Sequence, residues 1–231
     1  MSASLADLEA RIGHSFRDPS LLRRALTHPS LLPERPDITE SNQRLEFLGD
    51  AVVQLVLTQA LFELFPKERE GALSKHRAAL ANGGFLAQIA REIGLDRQIQ
   101  LGASEESAGG RDRPAALEDA FEALMGAVYL DGGFAEVQVV ILRIYGPLSV
   151  RLAKVQHLAN PKGLLQELFH PEHGTNALRY EVVSTDGVDH ARNFEVTVYL
   201  LERALGAGRG SSKKAAEESA ARAALNNLPK D

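Results

Sequence analysis

Two pairs of acidic residues stand where acids are costly. Glu46 and Asp50 lie four residues apart inside Leu45-Glu46-Phe47-Leu48-Gly49-Asp50-Ala51-Val52-Val53, a run that stays largely apolar through Leu61 and Phe62 as far as Pro66. Asp119 and Glu122 lie three apart among Phe121, Leu124, Met125 and Val128. Spacings of three and four put side chains on one face of a helix. An ionised carboxylate buried without a partner costs several kcal/mol. Two such pairs facing each other are tolerable around a shared divalent cation, and an all-oxygen donor set favours a hard ion, Mg2+ or Mn2+. Spacing alone leaves one partner open, because Glu118 shares a face with Glu122 about as well as Asp119 does. A di-iron carboxylate site would need Glu-x-x-His on two helices, and neither segment contains a histidine. The plainer reading, an acid pair on a solvated helix face, fits poorly because the flanks leave little solvated face and the pattern occurs twice.

A second candidate is Ser211-Ser212-Lys213-Lys214. Lysine in the first turn of a helix opposes the helix dipole by a few tenths of a kcal/mol. A bound phosphate would resolve that conflict, since free backbone N–H groups and two ammonium groups would converge on one anion. The glycines before it, in Gly206-Ala207-Gly208-Arg209-Gly210, would let a polyanion backbone come close. Two ordinary surface lysines would look the same in sequence, and His190 taken alone reads as a surface histidine. Gly49 sits mid-helix at a cost of about 1 kcal/mol relative to alanine; close helix packing and ligand access to the acids explain it equally well. Phe47 reads as core or as an exposed aromatic at an interface.

The elements that must position these residues are helical over the first two thirds. Ser4 opens a helix to Ile12, stopped by Gly13, and Asp18-Pro19 is an N-cap with proline at the first helical position, opening a helix to about Thr27. Pro29, Pro33 and Pro36 make a loop, and Thr39 or Ser41 opens the long helix that ends before Pro66. Ser74 caps another helix, and Asn82-Gly83-Gly84 separates it from a helix over Phe85 to Ile93. Gly102 to Arg113 reads as a loop, Pro114 to Leu130 as a helix stopped by Gly132, and Phe134 to Gln156 as helix bent at Gly146-Pro147. The pattern then changes. Leu164 to Phe169 is a short helix, Tyr180 to Val183 and Phe194 to Leu200 alternate with period two as strands do, Gly206 to Gly210 breaks the chain, and Ser211 to Leu228 is an alanine-rich helix. The expectation is an all-α domain over residues 1–156, a linker at 157–160, and a small α-β-β-β-α domain over 161–231.

Bulk properties bound the answer without giving it. The chain has 231 residues, 44% of them apolar, so a sizeable core is expected and wholesale disorder is not. With no cysteine it has no disulfide and no thiolate zinc site. The first residues lack the long apolar stretch of a signal peptide, and no run approaches about 18 uninterrupted apolar residues, so a soluble cytoplasmic protein with no membrane span is expected. The net charge of −5 does not advertise nucleic acid. Residues 1–159 hold 17 basic against 21 acidic residues and residues 160–231 hold 9 against 10, so any polyanion site has to be local.

The run Asn42-Gln43-Arg44-Leu45-Glu46-Phe47-Leu48-Gly49-Asp50-Ala51-Val52 closely resembles the signature of the bacterial ribonuclease III family. Leu26-Thr27-His28-Pro29-Ser30 before it and Glu118 to Gly133 after it also look like that family. The tail resembles a double-stranded-RNA-binding domain in Asn160-Pro161-Lys162, Leu165-Gln166-Glu167, Gly187-Val188-Asp189-His190 and Gly208 to Ala215.

The resemblance implies a Mg2+-dependent endoribonuclease that hydrolyses double-stranded RNA to 5′-phosphate and 3′-hydroxyl ends, with Mn2+ as a substitute and ribosomal RNA precursors and other structured transcripts as substrates. It implies metal ligands at Glu46, Asp50, Asp119 and Glu122, which chooses Asp119 over Glu118, with Asp50 and Glu122 the least dispensable. It implies a homodimer with Phe47 at the interface. In the tail, it implies RNA contacts from Gln166 and Glu167, from His190, and from Ser212, Lys213 and Lys214. Three positions depart from the common pattern: Gln43 stands where glutamate is frequent, Gly163 where a hydroxyl residue is, and Glu118 where a small residue is. A non-cutting RNA binder would be expected to have lost one of the four acids, and a small-molecule phosphohydrolase would have no use for the lysine-bearing tail.

Overall fold

The computed structural model describes residues 5–174, 177–186 and 193–228, apart from the side chains of 156–159. The chain forms two compact units, Met1–Leu152 and Ala153–Asp231. The first is helical: α1 (Leu5–Ile12), α2 (Pro19–Ala25), α3 (Gln43–Leu64), α4 (Glu70–Leu80), α5 (Gly83–Glu92), α6 (Ala103–Ser107), α7 (Pro114–Gly132) and α8 (Phe134–Tyr145), followed by α9 (Leu148–Ala159), which runs on into the second unit. Local chemistry sets these boundaries. The Asp18 carboxylate accepts a hydrogen bond from the Ser20 N–H at 2.9 Å, with Pro19 in the first helical position. Asn82 caps α5 by accepting from the Phe85 N–H at 3.0 Å. Gly146, at φ +65°, separates α8 from α9.

Helix α7 is the centre of this unit. Every residue from Ala120 to Val128 is buried, and α2, α3, α5 and α8 all pack on it. Its closest partner is α3. A Cβ on Gly49 would overlap the carbonyl oxygen of Glu122, and a Cβ on Gly126 would overlap that of Leu45. The two helices therefore cross glycine against backbone. That settles the choice left open for Gly49 in favour of helix packing, and the same contact brings the acid-bearing stretches of α3 and α7 together.

Three expectations change on inspection. Helix α4 begins at Glu70, not Ser74, and the Ser74 hydroxyl instead donates to Glu70 Oε1 at 2.9 Å. The segment read as a loop from Gly102 holds α6 and a 3-10 turn at Gly110–Asp112. Helix α3 is not buried all round. Its outer side exposes Phe47 (83%), Leu55 and Phe62 (68%), an apolar face that hydropathy could not distinguish from core. By length and composition α3 could also cross a membrane, yet Leu45, Val52, Val53, Val56, Leu57 and Leu61 are buried in this unit.

The second unit is α10 (Pro161–His173), β1 (Leu178–Asp186), β2 (Asn193–Leu200), β3 (Arg203–Gly210) and α11 (Lys213–Asn227). The strands form an antiparallel sheet in the order β1-β2-β3. Leu165, Val196, Val198 and the alanines 216, 220, 221 and 224 make its core. The expected break at Gly206 to Gly210 is strand β3. Cβ atoms on Gly206, Gly208 and Gly210 would strike the backbone of Ala224, Ala220 and Ala216. Glycine on the strand and alanine on the helix thus let sheet and helix approach closely, a reason for glycine that strand propensity does not capture. Residues 157–160, read as a linker, fall on the end of α9 and the N-cap of α10, where Asn160 Oδ1 accepts from the Gly163 N–H at 3.0 Å.

Candidate active site

Five carboxylates gather where α3 crosses α7. Glu122 is deepest, with 8% of its surface exposed; Glu46, Glu118 and Asp119 are half-buried, and Asp50 is exposed at the rim. Among the described residues neither Arg nor Lys pairs with any of the five. Asp50 accepts one long hydrogen bond, from Gln54 Nε2 at 3.4 Å. The electrostatics follow from that isolation. Burial pushes the Glu122 carboxyl up to about 8, and the charges of Asp50, Glu118, Glu46 and Asp119 add to the effect. Burial raises Glu46, with Asp119, Glu118 and Asp50 contributing, and it raises Glu118, with Asp119 and Asp50 contributing. Burial also raises Asp119, offset by the charge of His28.

The donor set suits a hard divalent cation. A carboxylate nine-tenths buried, unpaired and surrounded by like charges is a group whose ionised form needs an external positive charge. Among the described residues no three His, Asp or Glu side chains already form a closed metal cage. The backbone that carries these side chains is fixed by the glycine crossing.

Sequence reasoning left two neighbours of the cluster out of its ligand set. Glu118, set aside in favour of Asp119, faces the same cluster. His28, quoted only as part of a longer run, lies close enough to Asp119 for its charge to act there. The His28 Nδ1 accepts from the Ser30 N–H at 3.2 Å. The Ser30 hydroxyl oxygen accepts in turn from the Gly102 N–H at 3.0 Å. The usable signal was His28-Pro29, a capping residue followed by proline at the first helical position.

In the second unit, Gln166 and Glu167 are exposed on α10 beside buried Leu165. Ser212 is the N-cap of α11, its hydroxyl accepting from the Ala215 N–H at 3.2 Å, and Lys213 and Lys214 are exposed in the first turn. His190 lies outside the described residues.

Two family models match this chain in order: Ribonuclease-III-like over residues 18–148 and double-stranded RNA binding motif over 161–228. The chain belongs to the ribonuclease III family. A protein named Ribonuclease 3 from Bdellovibrio bacteriovorus is 43% identical over 219 residues, 94% of this chain and 93% of the relative. Another of that name, from Geobacter metallireducens, is 41% identical over 96% of this chain and 91% of the relative. The nuclease domain of ribonuclease III from Campylobacter jejuni, solved in a study of structural flexibility in a region involved in dimer formation, superposes with a TM-score of 0.58 at 42% identity, covering 61% of this chain and 95% of that domain. As a ribonuclease III family member the chain is an endoribonuclease, of a family that cleaves double-stranded RNA. Its all-α domain followed by an α-β-β-β-α domain is the architecture expected from the sequence.

Proposed function

We propose that this protein hydrolyses phosphodiester bonds in double-stranded RNA with Mg2+ held by Glu46, Asp50, Asp119 and Glu122. The supporting observation is Glu122, a buried carboxylate with no cationic partner, inside a cluster of like charges. A divalent cation supplies positive charge for the scissile phosphate and lowers the pKa of an attacking water. The chain's own residues divide the remaining work. Glu122 and Asp119 fix the deep side of the site from α7, Asp50 stands at the rim where substrate enters, and Glu46 completes the set one turn earlier on α3. Products carry 5′-phosphate and 3′-hydroxyl ends.

Duplex RNA is read by shape. Gln166, Glu167 and His190 reach 2′-hydroxyls and base edges of two minor grooves, while Ser212, Lys213 and Lys214 meet the phosphates between them. This local charge suffices in a chain whose net charge is negative. The protein works as a homodimer that covers the exposed Phe47, Leu55 and Phe62 face of α3, so each duplex meets two sites. Substrates include precursor ribosomal RNA in the cytoplasm.

The test uses long duplex RNA with wild type and Glu122→Gln, with Mg2+ or with chelator. Wild type cuts only with Mg2+. Glu122→Gln still retains the duplex on a native gel but cuts at least about a thousandfold more slowly, as expected when a group essential to the transition state is removed. An undiminished rate in the variant would overturn the assignment.

A further inference from the structure

Glu118 has no role in the set of four, yet it occupies a defined place beside it. On α7 it lies one turn before Glu122, on the same face. Its carboxylate rests over Gly83, the first residue of α5, so closely that a Cβ there would overlap the side chain. No hydrogen bond or ion pair holds it among the described residues. It is half-buried, and its charge acts on both Glu46 and Glu122. A surface glutamate one turn away would ordinarily swing into solvent and take its charge with it. This one packs against Gly83 at the positive end of α5, which favours an anion, and its charge reaches Glu46 and Glu122. The cluster it faces includes Glu122, the nine-tenths buried carboxylate without a partner.

We infer that Glu118 is a fifth anionic member of the cation site, a positioning residue that strengthens the hold of the four ligands on a divalent cation and is itself held in place by the glycine at the start of α5. The inference rests on the proposed function, since it presupposes a cation among those four acids. Its chemistry is long-range attraction: a fixed negative charge near a doubly positive ion adds to binding without ligating it, on the order of tenfold in affinity at a separation of about 6 Å even under water-like screening.

The experiment measures Mn2+ binding to the full-length protein without RNA, reading free Mn2+ by electron paramagnetic resonance. It compares wild type, Glu118→Gln and Glu122→Gln. The expected result is a dissociation constant about tenfold weaker in Glu118→Gln and a greater loss in Glu122→Gln. Unchanged Mn2+ affinity in Glu118→Gln, with Glu122→Gln impaired, overturns the inference and leaves the proposed function standing; a lowered melting temperature in that case makes Glu118 only an anchor for α5. Affinity unchanged in both variants removes the cation site itself. Gly83→Ala supplies a second test that keeps every charge. By filling the seat under Glu118 it shifts the dissociation constant in the wild-type background and leaves it unmoved in Glu118→Gln. An equal shift in both backgrounds contradicts the positioning.

Discussion

The acid cleft of the helical unit and the lysine-bearing end of α11 both place charge at a surface that glycine has prepared, but they treat water in opposite ways. Gly49 and Gly126 bring α3 against α7 so that Glu122 sinks out of solvent. Gly206, Gly208 and Gly210 seat α11 on β3, while Lys213 and Lys214 remain exposed. The first region concentrates like charges where solvation is poor, which raises the carboxyl pKa values and, on the proposed reading, makes it dependent on a cation. The second leaves its charges hydrated, which makes its contribution graded and sensitive to salt. On the proposed reading the first arrangement serves the chemistry and the second the grip on a long polyanion.

The comparison breaks most visibly at the helix crossing. Gly49→Val puts three carbons where the α7 backbone already lies, and overpacking of this kind costs about 3 kcal/mol or more. The expected outcome is a large drop in the denaturant midpoint together with loss of cleavage. Gly71 offers the control, because a Cβ there meets nothing within 4 Å; Gly71→Ala should leave both properties intact. If Gly49→Val unfolds no more easily than wild type, the close crossing is not what positions the acids.

The next effect is one of pH. Glu122 titrates near 8 in the fold against 4.5 as an ordinary glutamate, so between those values the unfolded chain has released a proton that the fold retains. Stability contributed by this group is therefore present below about pH 4.5 and lost as pH rises through 8. With solvent reaching the open side of the cleft, the loss is no more than a few kcal/mol. Without divalent cation, wild type should lose more stability than Glu122→Gln between pH 5 and pH 8.5, read from urea midpoints, and millimolar Mg2+ should narrow the gap. Equal pH slopes in the two proteins would mean that Glu122 is not strained by its surroundings.

The smallest effects belong to the exposed side of the comparison. Lys213→Ala and Lys214→Ala should each weaken duplex RNA binding several-fold, uniformly across sequences, and each should lower the slope of log affinity against log salt by about one. Neither should alter Mn2+ affinity. A salt slope unchanged in the double variant would remove α11 from the RNA interface.

Much of this was legible in the sequence because local chemistry marks it. Asp18-Pro19 fixed the start of α2 through the capping bond found there, whereas Asn82-Gly83-Gly84 reads as the break before a helix from Phe85 and is in fact the N-cap and first turn of α5. The acid pairs announced themselves by interrupting apolar runs. What the sequence did not reveal were properties that depend on a neighbour. The glycine run in β3 reads as a break until α11 is packed on it. Phe47 reads equally as core or as an exposed interface aromatic, and Phe62 as part of the apolar run, until α3 shows an uncovered side. Glu118 and Asp119 are adjacent acids of equal claim by spacing, and only the charge that each exerts on Glu122 shows that both lie near it.

The central claim is that a divalent cation among the α3 and α7 carboxylates makes their burial tolerable. Anomalous scattering from a crystal soaked in Mn2+ tests it most directly. The account predicts a peak between α3 and α7, among the carboxylates of Glu46, Asp50, Asp119 and Glu122, which would hold the ion. A fully soaked crystal with no peak between these two helices, and with Glu122 instead neutralised by a protein side chain, would contradict it.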